Sequence, residues 1–242
     1  MNKFFRRIRQ RLLSENKFSK YLLYAIGEVI LVMIGILLAL QVNNWNSNKI
    51  ASKKERDILK ELSVGLKLDK SILENALQKD SVDLKGLYRL DSLLNYPENN
   101  YKSDINELFG KVYGFRFERV NTAFYEDLKA SGLQALKDDK IRSAVVNLFE
   151  GNYKVLIDLL NNERSVNQVN RPYFLENFTN LTFKEYAKPR NIKLIWNDSY
   201  FKNLVHYRII TLESNQIKWY KKTIEDIDNL LSQISIYLNE KK

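Results

Sequence analysis

The sequence predicts an all-α chain, with an N-terminal transmembrane helix followed by an extracytoplasmic helical bundle. Three observations carry that expectation. Residues 21–42, YLLYAIGEVILVMIGILLALQV, form an apolar run with a single charge. Gly (8) and Pro (3) are scarce in 242 residues, too few for the many tight turns of an all-β domain. Leucines recur at multiples of seven from Leu59 to Leu94, a helix-packing spacing.

The apolar run comes first in the chain and fits a bilayer. About 20 apolar residues cross a hydrocarbon core. Tyr21, Tyr24 and Trp45 flank the run, where amphipathic rings favour the headgroup layer. Seven Lys/Arg and two acids lie up to Val42, so about half of the net charge of +10 sits on the first fifth of the chain. Lys3, Arg6, Arg7, Arg9, Arg11, Lys17 and Lys20 precede the run, and the neutral stretch 43–48 comes after it. The positive-inside rule then keeps the N-terminus cytoplasmic and exports the chain beyond Asn43. The expected localisation is the inner (cytoplasmic) membrane. A cleaved signal peptide is the competing reading, but the run is longer than its usual apolar region and no A-x-A site succeeds it. The expected organisation is 1–20 cytoplasmic, 21–42 transmembrane and 43–242 extracytoplasmic. Phe4, Ile8 and Leu12 share a helical face, so residues 1–20 read either as an interfacial amphipathic helix or as a basic tail.

Four residues of the span are candidates for packing against another helix. A carboxylate in hydrocarbon costs about 2.5–3.5 kcal/mol on insertion scales, so Glu28 calls for a partner or water. Gly27, Gly35 and Ala39 share one face, and Gly35 with Ala39 makes a small-xxx-small pair. A snorkelling Glu28 with no role is the bland alternative.

The stretch FFRRIRQRLLSENKFSKYLLYAIGEVILVMIGILLALQVNNWN resembles the opening of a family of uncharacterised bacterial membrane proteins, domain of unknown function 6090. The resemblance is strongest over residues 1–46, and residues 121–153 look like the family's second, more variable block. It implies a single-pass topology and a helical domain. It implies no activity.

Beyond the span, residues 50–94 read as one long helix. Leu59, Leu66, Leu73, Leu87 and Leu94 form a stripe that Asp80 interrupts, with Leu62, Leu77, Leu84 and Leu90 beside it. Asp69, Asp80 and Asp83 spoil a clean coiled-coil heptad, which favours packing within the chain over a dimer. Residues 96–100 break the helix, and a short one is expected over 104–113. The aromatics Phe109, Tyr113, Phe115, Phe117, Phe124 and Tyr125 suit a core better than a ligand pocket. Thr122 is a candidate N-cap, with Gly132 closing that helix. Asp138 or Asp139 caps the next, with the stripe Ile141, Val145, Leu148, Leu156 and Leu159. That helix is expected to fray over 161–170, with Pro172 starting a new one. Residues 191–196, NIKLIW, suggest a short strand without an obvious partner. Asn197 or Asp198 caps a final long helix whose stripe runs Phe201, Leu204, Ile209, Leu212, Gln216, Trp219, Ile227, Leu231, Ile234 and Leu238. These elements make an up-down bundle with its first and last helices paired.

Catalytic signals are missing. There is no cysteine, which excludes disulfides, thiolate sites and lipoprotein acylation. His206 is the one histidine, so no zinc site or Ser/His/Asp order is expected. No phosphate-binding glycine loop occurs. Glu225, Asp226 and Asp228 lie among lysines and suit a solvated face. No cofactor, metal, enzymatic activity or nucleic-acid partner is expected. The sequence favours a membrane-tethered, non-enzymatic interaction or scaffold protein. Its partners would be the lipid bilayer and, through the span, its own copy or another membrane protein. The alternative is a ligand-sensing helical bundle acting through a separate membrane partner.

Overall fold

The computed structural model describes residues 18–98, 101–116 and 119–240, so most of the basic segment 1–20 and Phe117 lie outside the described residues. Helix α1 runs Phe18–Leu93. The chain divides into two compact units, Met1–Lys54 and Glu55–Lys242, and α1 contributes to both. In the first unit α1 carries an apolar window of mean hydropathy 2.5, none of it buried, long enough to cross a membrane.

The second unit is almost wholly helical. A 3-10 turn at Ser103–Ile105 leads into α2 (Asn106–Gly110). Helix α3 (Ala123–Ser131) comes next. Its cap at Thr122 comes without a side-chain bond, and the Asn121 Oδ1 accepts from the Ala123 N–H instead. Gly132 ends α3 at φ 101°, ψ 117°, a positive φ outside the left-handed helical region expected of it. A 3-10 turn at Leu133–Ala135 leads to α4 (Asp139–Val146). The Asp138 side chain caps α4, accepting from the N–H groups of Lys140 and Ile141.

Helix α4 passes through a π-helical segment, Asn147–Tyr153, into α5 (Lys154–Asn177). The expected fraying and restart at Pro172 do not occur, because Pro172 lies inside α5. A proline removes one backbone bond, and tertiary contacts on both sides of it outweigh that loss. Asn167 and Asn170 bind the Gly114 N–H and the Tyr200 hydroxyl, while Phe174 is buried in the core.

Strands β1 (Phe178–Thr182) and β2 (Tyr186–Pro189) form an antiparallel hairpin in a stretch to which the sequence assigns no element. The register pairs Phe178 with Pro189 and Thr182 with Tyr186, with an irregularity between. Lys184, at the hairpin turn, has φ 64°. Residues 191–196 are not the expected strand. They enter α6 (Ile192–Asn197), capped by Asn191 accepting from the Leu194 N–H. Ile195 and Trp196 are adjacent and both buried, which the alternating faces of a strand do not allow for one core.

Helix α7 (Ser199–Thr211), capped by Asp198, continues through a second π segment, Leu212–Ile217, into α8 (Lys218–Glu240). A π turn widens the helix and rotates the face beyond it. Ile217 and Leu230 therefore take core places, while Trp219, Leu231 and Leu238 of the expected stripe are only half-buried; before the π segment, Val205 is buried in place of Leu204. The Tyr237 hydroxyl donates to Glu55 and Lys70 binds Asp228, so α8 runs antiparallel to α1, as expected of the first and last helices.

The core is two clusters. One gathers Leu87, Leu90, Phe109, Phe174, Trp196 and Phe201 with their neighbours. The other gathers Leu59, Leu66, Tyr125, Val145, Tyr153 and Ile227 with theirs. The expected aromatic core is thus split, since Phe109 and Tyr113 join the first and Tyr125 the second.

Candidate functional site

The acids that interrupt the leucine pattern turn inward. Along one seam of α1, Glu55, Leu62, Asp69, Ala76, Asp83 and Leu90 stand seven apart and all are buried. Acid and apolar residues alternate in this seam. A buried carboxylate must be hydrogen-bonded, and each of these is. Glu55 accepts from the Lys137 N–H at 2.6 Å and the Tyr237 hydroxyl at 2.8 Å. Asp69 accepts from the Asn121 N–H at 3.0 Å and the Tyr153 hydroxyl at 2.8 Å. Burial raises the Asp69 carboxyl above its ordinary value, and those two bonds oppose the rise.

Asp83 belongs to a larger group. Between the two apolar clusters, all three long helical runs carry buried polar residues. These are Asp80 and Asp83 on α1, Glu163 on α5, Arg208 on α7 and Gln216 in the second π segment. Arg116 bridges Asp80 at 3.0 Å and Asp83 at 2.6 Å. Lys111 binds the other Asp83 oxygen at 3.0 Å. Arg208 pairs with Glu163 and donates to the Gly114 carbonyl at 3.1 Å.

The hairpin brings in Lys184. Its N–H donates to the Tyr113 carbonyl at 3.0 Å, and the residue is 5% exposed. The ammonium stands 3.4 Å from Asp83 and 3.8 Å from Asp80, but makes no hydrogen bond among the described residues. Burial pushes it down to about 8; Arg208 and Arg116 add to the shift, and Asp80 and Asp83 oppose it. Two glycines admit the hairpin. A Cβ on Gly110 would stand 2.1 Å from the Tyr186 backbone nitrogen, and one on Gly114, at φ 103°, would stand 2.8 Å from the Phe183 Cβ.

Lys184 and Arg116 stand where two spaces meet. On one side is a small cavity of about 20 Å³, lined also by Asp80, Glu163, Arg208 and Gln216. On the other is an open cleft of about 680 Å³, reached by Lys79, Glu107, Lys111 and Glu185. Among the described residues, no group of three or more His, Asp or Glu side chains is placed to hold a metal ion.

The residues singled out in the apolar stretch lie elsewhere. Glu28 is half-buried, while Gly27, Gly35 and Ala39 are exposed. A Cβ at Gly27 or Gly35 would meet nothing within 4 Å. His206 is exposed on α7. Sequence reasoning noticed Asp80 and Asp83 only as flaws in a heptad. An acid at a core position is itself the signal of a buried partner. Arg116, Glu163, Lys184 and Arg208 carried no such mark, because nothing local distinguishes them from surface charge.

The model of a family of unknown function, DUF6090, matches residues 28–216. The match takes in Glu28, the buried charged layer of Asp80, Asp83, Arg116, Glu163, Lys184 and Arg208, and the block at 121–153, and it begins after the basic opening. No curated protein and no solved structure matches the chain.

Proposed function

The chain belongs to the DUF6090 family, whose function is unknown, and on that footing we propose a membrane-tethered, non-enzymatic interaction protein. In this reading α1 anchors it in the inner membrane and its helical domain stands outside the cytoplasm. The apolar window of α1, none of it buried, carries the reading. In water such a surface would be a standing aggregation hazard, whereas in lipid it is matched. The bases before it favour a cytoplasmic N-terminus. The solid packing of Phe109, Tyr113 and Tyr125 supports assembly over ligand sensing through an aromatic pocket.

Association would run through the span, at Glu28 and along Gly27, Gly35 and Ala39. In native membranes, in-span crosslinking and then tagged purification should recover a specific protein or a second copy. Glu28→Leu with Gly35→Ile should lose at least tenfold of that product. Unchanged crosslinking in the variant would refute association through this face. Alkaline phosphatase fused after Lys242 should be active, and an inactive, stable fusion would overturn the orientation.

A further inference from the structure

We propose that the small cavity beneath the β1–β2 hairpin binds a monatomic anion of chloride size, held by the Lys184 ammonium and the Arg208 Nε–H. The inference stands apart from the proposed function and rests on the folded unit alone.

Two buried cations converge there with hydrogen-bonding capacity left over. Lys184 Nζ and Arg208 Nε have no acceptor among the described residues, and both residues are at least nine-tenths buried. The nearby carboxylates are already engaged by other cations, and Lys184 reaches Asp83 and Asp80 only at 3.4 Å and 3.8 Å, without a hydrogen bond. Arg116 and Lys111 hold Asp80 and Asp83, while Glu163 and the Gly114 carbonyl hold the other Arg208 nitrogens. A buried donor left unmade costs the full desolvation of the group, more so when it is charged.

Charge and size then choose the occupant. Arg116, Lys184 and Arg208 line the cavity against Asp80 and Glu163, which leaves one positive charge over among the described residues. Lys111 and Asp83, just behind, cancel each other. A water would satisfy the donors but not the charge, and a cation would add to the excess. The volume of about 20 Å³ admits one small species and no phosphate ester or metabolite. The cleft on the far side of Lys184 and Arg116 offers the way in.

The full chain in detergent at pH 7 and constant ionic strength provides the test, with chloride replacing gluconate, which is too large for the cavity. Melting monitored by helical circular dichroism should rise saturably with chloride, by about 4 °C at ten times the half-saturating concentration. Bromide should substitute. Lys184→Met should abolish the saturable rise. Equal melting in the two anions, a rise without saturation, or an undiminished rise in Lys184→Met overturns the proposal. A second measurement needs no variant. The wild-type chain should broaden the chloride-35 resonance, and bromide should reverse the broadening by competition; no competable broadening overturns the site.

Discussion

Gly110 sets the tolerance of the hairpin contact. Any side chain there meets the β2 backbone, which cannot move like the tip of a flexible side chain. Gly110→Ala should therefore destabilise by about 1–3 kcal/mol, as overpacking does. Gly65 offers the contrast. It lies within α1 with nothing within 4 Å of an added Cβ, so Gly65→Ala should stabilise by about 0.5–1 kcal/mol. Denaturant unfolding of both variants checks the pair, and equal effects would contradict the packing described. Nothing in the sequence separates the two glycines, because the neighbour that matters at Gly110 is some 76 residues away at Tyr186. Local rules do reach the caps at Asp138 and Asp198, where the donors lie within three residues.

At the scale of elements, local pattern was legible and tertiary compensation was not. The long α1, the break near Pro97 and the antiparallel pairing of first and last helices stem from hydrophobic period and breaker residues. The passage of α5 through Pro172 does not, because contacts from other elements sustain it. The two π segments do not either, since one extra residue in a turn leaves no mark in composition. The acids of α1 give the sharpest prediction here. Asp69→Ala should destabilise by about 2–5 kcal/mol, because it strands the Tyr153 hydroxyl in the core and takes the acceptor from the Asn121 N–H at its edge. Asp69→Leu should not restore the loss, although leucine suits the helix. Full rescue by leucine, measured by urea unfolding, would show that those bonds contribute nothing.

For the whole domain, the charged layer makes stability depend on pH. Lys184 faces Asp80, Asp83, Arg116 and Arg208, with Lys111 and Glu163 in the same network. Below about pH 8 both folded and unfolded chains hold its proton, and the cost of burying the charge stands in full. Between about 8 and its ordinary value of 10.5 the folded chain has lost a proton that the unfolded chain keeps. This group therefore makes stability rise with pH across that window. In gluconate buffer, unfolding at pH 7.5 and 9.5 should show Lys184→Met lacking that rise. Parallel pH profiles for the two proteins would remove Lys184 as its source. The two-cluster plan around this layer was not visible beforehand, because it depends on which helices meet at Asp80 and Asp83.

The alternating seam of α1 also bears on how this family can change length. In a plain leucine seam, inserting seven residues restores apolar to apolar, so such a helix can grow or slip by single heptads. Here the acids at 55, 69 and 83 are fourteen apart, with Leu62, Ala76 and Leu90 between them. A seven-residue shift would set Leu62 and Ala76 against the donors of Lys137 and Asn121 and carry carboxylates into apolar sites. The shortest shift that restores the match is fourteen residues, about 21 Å of helix. Homologues that differ in the length of this segment should do so in steps of fourteen, a vernier coarser than the heptad written over it.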